Sequence, residues 1–224
     1  ELKTNTALGN DLWEAKGVKN MDDETACKLA ELYNLIEEEM AWPEHILLNI
    51  IVLMGKPPPG GVRPIALMPM LYRIWTKIRK GQIQMWDRDY RGHWDAAIAG
   101  SSALRAAILS VFHDEIATYT GKDIGSLLWD MEKFYDNIDI KLLIDKAIEL
   151  EYPVKIFALG VAMHMAPRAL KAYEHFAICK TPANGIIAGC TQSTSFARAY
   201  VQKDINAVSY THLRAHETDS YLVC

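Results

Sequence analysis

The apolar residues of this chain change their spacing at about residue 124. Before that point they recur mainly every three or four residues, which is typical of helices that bury one face. From there on, short continuous apolar runs at 124–129 and 172–179 alternate with helical spacing, and such runs are typical of strands. The pattern predicts an α+β fold, with helices at about 23–40, 71–85, 101–119, 140–150 and 191–205.

The sequence also predicts helix ends and helix faces. Side chains that can accept hydrogen bonds from exposed N–H groups begin three of the helices, at Asp22 or Asp23, at Ser101 or Ser102 and at Asp139. The acidic run 37–39 is predicted to be a solvated face. The helix at 101–119 carries an apolar stripe that predicts a buried face, made of Leu104, Ala107, Ile108, Val111, Phe112 and Ile116.

Three shorter segments connect these helices. Residues 45–54 form a compact apolar run, for which a buried helix and a strand both remain open. The Pro- and Gly-rich segment 55–61 is predicted to be a loop. Residues 181–185 are predicted to form a turn, with a return strand beginning at Ile186.

Basic residues are concentrated between residues 55 and 86. The whole chain has a formal net charge of −4, which argues against a generally basic nucleic-acid coat. A basic helix face is often simply solvated, and the alternative is a local groove for phosphate groups. This segment contains no acidic residue and six basic ones: Lys56, Arg63, Arg73, Lys77, Arg79 and Lys80.

Several other classes of protein are disfavoured. No apolar run reaches the ~18–20 residues of a membrane helix, and residues 1–5 lack the apolar segment of a signal peptide, so no membrane partner is expected. The four cysteines form no CxxC pair or disulfide framework, which favours a reducing, intracellular location without distinguishing nucleus from cytoplasm. Four histidines lack zinc-ligand spacing and are predicted to be core or surface residues: His93, His113, His164 and His175.

The segment 127–136 follows an apolar strand with a carboxylate. Asp130 comes directly after three apolar residues, and Tyr135 lies five residues further on. A strand fixes the position of such a carboxylate while the strand end opens to solvent, which suits it for binding Mg²⁺. An aspartate at a strand end is also common as a turn or cap residue, so the motif alone leaves both interpretations open.

Two further motifs give this strand end a context. Residues 61–67 read Gly-Val-Arg-Pro-Ile-Ala-Leu, and residues 185–194 read Gly-Ile-Ile-Ala-Gly-Cys-Thr-Gln-Ser-Thr. With Asp130 between these motifs, the chain resembles the reverse transcriptases of non-LTR retrotransposons and group II introns over about 42–202. The resemblance implies an RNA-directed DNA polymerase of a mobile element, with right-hand fingers, an incomplete palm and no thumb.

The resemblance also implies roles for individual residues. Asp130 matches the first aspartate that binds the catalytic ions, two Mg²⁺ (or Mn²⁺) in the complete parent. Tyr135 matches the steric gate that excludes a ribose 2′-hydroxyl. Arg63, with Lys56, matches the fingers residues that hold the triphosphate of the incoming dNTP, and Gly189 is implied to lie at the nucleotide.

Other residues are implied to hold nucleic acid. The basic helix face with Arg73, Lys77 and Lys80 would contact the RNA template and the DNA primer. Gly185 and Ser193 match a turn that lets template and nucleotide approach the backbone closely, which glycine permits because it has no Cβ. No protein partner is indicated.

The chain departs from the family pattern at three places. Ala188 stands where a glutamine is expected, and Thr194 stands where a proline is expected. The Tyr-x-Asp-Asp motif, which supplies the other metal-binding carboxylates, is absent, so this chain is expected to be inactive by itself. Two alternatives remain open, a decayed or domesticated nucleic-acid-binding module and the palm of a viral RNA-directed RNA polymerase.

The final segment, 208–224, resembles the conceptual translation of a transposase-type sequencing adapter. Its residues outside a short index match that translation, so they are expected not to be native and the natural protein is expected to continue past Ala207. The predicted organisation is a helical N-terminal fingers segment at 1–54, a basic fingers region at 55–123, a partial palm at 124–207 and the adapter-derived tail.

Overall fold

The computed structural model describes residues 6–58, 60–92, 94–98, 100–126, 131–173, 175–179, 181–215 and 221–223. Asp130 and His93 lie outside these described residues. The elements in chain order are α1 (Ala15–Lys19), α2 (Asp23–Glu39), β1 (Asn49–Gly55), β2 (Val62–Leu67), α3 (Met70–Ile78), α4 (Lys80–Asp89), α5 (Ala103–Tyr119), β3 (Ile124–Ser126), α6 (Ile140–Glu149), α7 (Val154–His164), β4 (Arg168–Ala172), β5 (His175–Cys179), α8 (Ser193–Ala215) and β6 (Tyr221–Val223). Short 3₁₀ turns occur at Glu44–Ile46 and Phe134–Asn137.

Four strands form the main sheet, in the order β2-β1-β4-β5. β1 and β2 are an antiparallel hairpin in which Ile50 faces Leu67 and Gly55 faces Val62. β4 lies parallel to β1 on its other side and forms an antiparallel hairpin with β5. Helices and a sheet of mixed direction therefore make up the chain, and the α+β prediction is confirmed at that level.

The predicted tail contributes backbone structure to this fold. α8 continues beyond Ala207 to Ala215, and β6 pairs in parallel with β3 to form a second, two-stranded sheet. The interpretation of 208–224 as adapter-derived stays a prediction.

The first hydrophobic core lies between α2, α3 and α7. The ring of Trp42 packs edge to face against Tyr72 and Trp75, with centroid distances of 5.6 Å and 5.2 Å. The indole Nε1 of Trp42 also donates a hydrogen bond to the carbonyl oxygen of Leu159 in α7, at 2.8 Å. Because aromatic side chains bury large apolar areas, this cluster fixes α3 against α7.

The second core joins α4, α6, α7 and α8. Trp86 packs against Tyr152 at a centroid distance of 4.6 Å, and Phe157 packs against Phe196 at 5.3 Å. The indole Nε1 of Trp86 donates to the carbonyl oxygen of Leu150 at 2.7 Å. α7 contributes side chains to both cores and so holds the two halves of the described chain together.

The predicted helix caps are confirmed in three cases. The carboxylate of Asp22 accepts a hydrogen bond from the N–H of Thr25 at 2.7 Å and begins α2. Ser102 and Asp139 cap α5 and α6 in the same way. For the run 45–54, the structure decides in favour of a strand, because β1 occupies most of it.

Other element predictions were wrong. The single helix predicted over 71–85 is two helices, which meet at Arg79 close to Gly81, a residue of low helix propensity. No return strand begins at Ile186, because its N–H donates to the carbonyl oxygen of Tyr135 rather than to a neighbouring strand. α7 and β4 have no counterpart in the sequence-based prediction.

The acidic run 37–39 is only partly a solvated face. The carboxylate of Glu37 accepts hydrogen bonds from Nε1 of Trp75 and from the guanidinium of Arg79, both at 2.7 Å. The prediction was wrong for this residue because helical spacing turns Glu37 toward α3, while Glu38 and Glu39 remain exposed.

The apolar stripe of α5 is exposed, so the prediction that it faces a core was wrong. All side chains of α5 are described, and only Ala117 among them is buried. The exposed fraction reaches 70% for Leu104, 54% for Phe112 and 59% for Ile116. Within the described residues, no helix combines the length and the apolar content needed to cross a membrane, and α5 is no exception.

Candidate nucleic-acid interface

Lys56 and Arg63 lie together at the tip of the β1–β2 hairpin. The N–H of Lys56 donates to the carbonyl oxygen of Gly61 at 2.9 Å and closes the loop, while Arg63 faces Met54 in the ladder. Both residues line one open cavity of about 360 Å³. Neither forms an ion pair with a residue that the structure describes. The hairpin tip therefore presents two cations, of which arginine can bind phosphate oxygens in pairs.

A second cleft, of about 300 Å³, lies between β2, α3 and the turn 185–193. Arg73 and Lys77 enter it from α3, and Gly189 lines it from the turn. The guanidinium of Arg73 donates to the carbonyl oxygen of Ala7 at 3.3 Å. Lys80 is exposed at the start of α4 and does not line the cleft. The structure thus brings Arg73, Lys77 and Gly189 together in one cleft, and Lys80 lies outside it.

Gly185 anchors the turn to the segment that carries Tyr135. Its N–H donates to the carbonyl oxygen of Ile138, and the next N–H, of Ile186, donates to that of Tyr135, both at 2.8 Å. Gly185 has a φ of +85°, and a Cβ on it would lie 2.7 Å from the carbonyl oxygen of Asp136. The close approach at this glycine is therefore to protein backbone.

Gly189 and Ser193 differ in what they face. Gly189 has a φ of +89°, and a Cβ on it would meet no atom within 4 Å, so its backbone stays open toward the cleft. Ser193 is buried, and its hydroxyl donates to the carbonyl oxygen of Ile187 at 2.5 Å. The side chain of Ser193 therefore closes the turn from inside. Ala188, directly before Gly189, is exposed.

The other side of the turn is bonded to α3. The hydroxyl of Tyr72 donates to Oε1 of Gln192 at 3.2 Å and lies 3.4 Å from Sγ of Cys190. Thr191 donates through Oγ1 to Oγ1 of Thr76 at 2.9 Å. Burial, together with the nearby Cys190, raises the pKa of Tyr72 well above its ordinary value, so the phenol remains a donor. The turn is consequently held from two directions.

Tyr135 lies at the edge of the second core. Its ring is partly buried beside Phe134, with 5.6 Å between the ring centroids. Asp130, which the sequence places five residues earlier, lies outside the described residues, so its role as a metal ligand stays a prediction. Among the residues that are described, no three His, Cys, Asp or Glu side chains form a group that could hold a metal ion.

His164 lies in the core and hydrogen-bonds to the turn 185–193. Its Nδ1 accepts a hydrogen bond from the N–H of Ile187 at 2.8 Å, so the proton of the neutral ring resides on Nε2. Burial lowers the pKa of His164 to about 3, and the positive charge of Arg168 acts in the same direction. The imidazole is a neutral core group; the sequence left core and surface positions open for His164, and the structure decides in favour of the core.

Arg198 fixes α8 relative to α4. Its guanidinium forms ion pairs with Asp87 in α4 and with Asp95 in the connection to α5, and it also donates to the carbonyl oxygen of Ala97 at 3.3 Å. The hydroxyl of Ser195 donates to Asp87 at 3.0 Å. Removing one partner of a buried ion pair leaves an uncompensated charge, so this network holds the helix that follows the turn firmly in place.

Sequence reasoning missed the side chains that support the turn. Gln192, Tyr72 and His164 are buried and hydrogen-bonded, yet none was singled out as part of the site. One signal was available, because Gln192 lies in the first turn of the helix predicted at about 191–205, four residues before the apolar Phe196. The contact of Tyr72 with the turn has no local signal, since the two lie far apart in sequence.

A scan of protein-family models and a search of the curated proteins both find no match to this chain. The functional interpretation therefore rests on the arrangement of its own residues. That arrangement is a pair of cationic surfaces, one at the hairpin tip near the start of β2 and one in the cleft near its end. Such surfaces suit phosphate groups more than apolar ligands.

Proposed function

We propose that the chain is the fingers and part of the palm of an RNA-directed DNA polymerase from a mobile element. The complete enzyme would add nucleotides from dNTPs to the 3′ end of a DNA primer on an RNA template. This chain by itself would bind nucleic acid without extending a primer, because a single aspartate cannot hold two catalytic ions.

The observation that supports this proposal is the pair of contacts made by the turn 185–193. Through Gly185 and Ile186 the turn bonds to the segment with Tyr135, and through Thr191 and Gln192 it bonds to α3. α3 follows directly on the motif at 61–67. The turn, which is itself the third motif, therefore bonds both to the segment that follows Asp130 in sequence and to the helix that follows the motif at 61–67, and this arrangement supports the proposal.

The two cationic surfaces suggest a division of roles. Lys56 and Arg63 sit on a narrow hairpin tip, which suits the compact charge of a triphosphate. Arg73 and Lys77 lie in the cleft, with Lys80 exposed beyond it, which suits the repeated charges of a nucleic-acid backbone. In the complete enzyme Asp130 would bind Mg²⁺ or Mn²⁺ with carboxylates of the Tyr-x-Asp-Asp motif, and no carboxylate group among the described residues replaces them.

This division can be tested with the chain as it exists. Binding of a labelled RNA–DNA hybrid is measured by fluorescence anisotropy, and binding of a triphosphate is measured by photocrosslinking of a dNTP analogue. The variant Lys77→Glu/Lys80→Glu should weaken binding of the hybrid, whereas Lys56→Ala/Arg63→Ala should reduce crosslinking and largely retain hybrid affinity. The matched control is Lys16→Glu/Lys19→Glu, a pair with the same spacing on the exposed surface of α1.

Two results would contradict the proposal. If the Lys77/Lys80 variant bound the hybrid as tightly as the Lys16/Lys19 control, the basic face would be a solvated surface. If triphosphate crosslinking did not depend on Lys56 and Arg63, the hairpin tip would not be a nucleotide site.

A decayed or domesticated nucleic-acid-binding module is the second candidate. Ala188 favours it, because the resemblance implies a glutamine there that contacts the substrates, and a methyl group offers no hydrogen bond. Both candidates predict binding by this chain. The two candidates are distinguished by primer extension in a longer parent protein that contains the missing carboxylates. There, Ala188→Gln should restore or raise primer extension only if the polymerase site is otherwise intact.

A further inference from the structure

α5 presents an apolar surface that the rest of the described chain leaves uncovered. Exposed fractions of about one half or more along this helix belong to Leu104, Ile108, Leu109, Val111, Phe112, Ile116 and Tyr119. Contiguous apolar patches of this kind are rare on monomeric proteins and mark interaction surfaces. A helix of 17 residues with only Ala117 buried gains little from packing in the single chain.

The order of side chains on α5 resembles the seam of a two-helix coiled coil. Residues 105, 108, 112, 115 and 119 follow the spacing of three and four that places them on one line. The line consists of Arg105, Ile108, Phe112, Glu115 and Tyr119. Leu104, Val111 and Ile116 flank it and widen the apolar face.

The line of side chains on one α5 matches the same line on a second α5 that runs in the opposite direction. In an antiparallel pair centred on the level of Ser110, Ile108 of one copy lies level with Phe112 of the other. In the same register Arg105 lies level with Glu115 of the other copy, once at each end of the contact. The two apolar layers are thus closed at both ends by opposite charges, which is the arrangement that fixes register in such pairs.

We propose that α5 is a dimerisation surface, on which α5 of a second copy of this chain packs in antiparallel orientation. The charge pattern favours a second copy over other occupants, because the reversed helix supplies the matching charge at each position. A lipid surface would place Arg105 and Glu115 against acyl chains, which offer no opposite charge to either side chain. The proposal is independent of the polymerase function.

The experiment uses charge reversal and analytical ultracentrifugation over a series of protein concentrations. The chain should sediment as a monomer–dimer equilibrium. Arg105→Glu and Glu115→Arg, each alone, create two like-charge contacts in a homodimer and should weaken it by about tenfold or more. An equimolar mixture of the two variants should recover the dimer, because the glutamate introduced in one variant then lies level with the arginine introduced in the other.

Charge-matched controls are Lys19→Glu and Glu38→Arg, at exposed positions on α1 and α2, which should leave the dimer unchanged. Recovery in the mixture also excludes misfolding as the cause of the loss, because a misfolded variant would not be rescued. The proposal fails if the chain is monomeric at every concentration. It also fails if the charge reversals leave the dimer affinity unchanged, or if the mixture associates no better than either variant alone.

Discussion

Ile186 donates its backbone N–H to the carbonyl oxygen of Tyr135, at 2.8 Å, across about fifty residues of sequence. The bond joins the glycine-flanked turn to the segment that follows the predicted strand-end aspartate. With the adjacent bond from Gly185 to Ile138, it makes the position of Tyr135 depend on the conformation of the turn. The predictions below begin from this dependence.

Gly185→Ala should destabilise the protein by about 2–4 kcal/mol, because the new methyl would meet the backbone of Asp136 and the residue would keep a positive φ. Gly189→Ala is the matched control, since Gly189 has a similarly positive φ but open space where the methyl would lie. It should cost only about 1 kcal/mol. Urea unfolding of both variants measures the difference, and equal losses would show that the contact with Asp136 contributes nothing.

Tyr135→Ala tests the sugar gate in a longer parent that contains the missing carboxylates. A ring packed against the sugar leaves no volume for a 2′-hydroxyl, so its removal should admit ribonucleotides. The ratio of kcat/KM values for the two sugars should shift by about 2–4 kcal/mol, or tens to several hundredfold. Asp130→Asn should instead abolish turnover with both sugars.

A different outcome for Tyr135→Ala would identify a packing role. The ring also contacts the second core, so the variant could lose stability by about 3–5 kcal/mol and depress both activities together. An unchanged ratio would remove the residue-level argument for a deoxynucleotide polymerase and would favour the RNA polymerase alternative.

Nucleic-acid affinity should depend steeply on salt. If Arg73, Lys77 and Lys80 contact phosphates of the nucleic acid, log K for a single strand should fall against log salt with a slope of about −2, about −0.7 for each contact. Anisotropy titrations at several salt concentrations measure this slope. Lys77→Glu/Lys80→Glu should make it shallower by roughly 1.4, about −0.7 per lost contact, and a slope near zero in the unaltered chain would exclude a phosphate interface.

Stability should decrease as the pH falls below about 6.5, because of His164. Its pKa is lowered to about 3 in the folded protein, so between that value and about 6.5 the unfolded chain binds one more proton at this residue. Each pH unit in this range removes up to about 1.4 kcal/mol of unfolding free energy.

The measurement is urea unfolding at about pH 7 and about pH 5. His164→Asn keeps an acceptor near the Nδ1 position but cannot be protonated, so it should reduce the difference between the two pH values by up to about 2 kcal/mol. His45→Asn, on an exposed 3₁₀ turn, is the control and should retain the full difference. The same pH dependence in both variants would contradict this role for His164.

Local signals in the sequence predicted local structure well. Asp22, Ser102 and Asp139 were identified as caps, and the structure confirms each of them, because a cap depends on only three or four neighbouring residues. The grouping of Lys56 with Arg63 was implied only by the family resemblance, and the structure places both residues at the tip of the β1–β2 hairpin. For the caps, neighbouring residues carried the needed information.

The failures concern contacts between distant residues. The apolar stripe with Ile108 and Phe112 was predicted to be buried, but the structure leaves it exposed. The spacing of residues shows that a helix face is apolar, and it does not show whether another element covers that face. Glu37 was predicted to be solvated because its partners, Trp75 and Arg79, belong to another helix. The buried Gln192 and His164 were missed for the same reason, since their roles depend on a turn that only the folded chain assembles.

The parallel pairing of β1 with β4 has a consequence for synthesis on the ribosome. Asn49 aligns with Arg168, so one edge of β1 must wait unpaired while more than a hundred further residues are translated. During that interval the nascent chain carries an apolar strand with open hydrogen-bonding groups, which can pair with strands of other chains. Efficient production of this protein would therefore depend on how long β1 stays shielded, by the ribosome or by a chaperone, before β4 emerges.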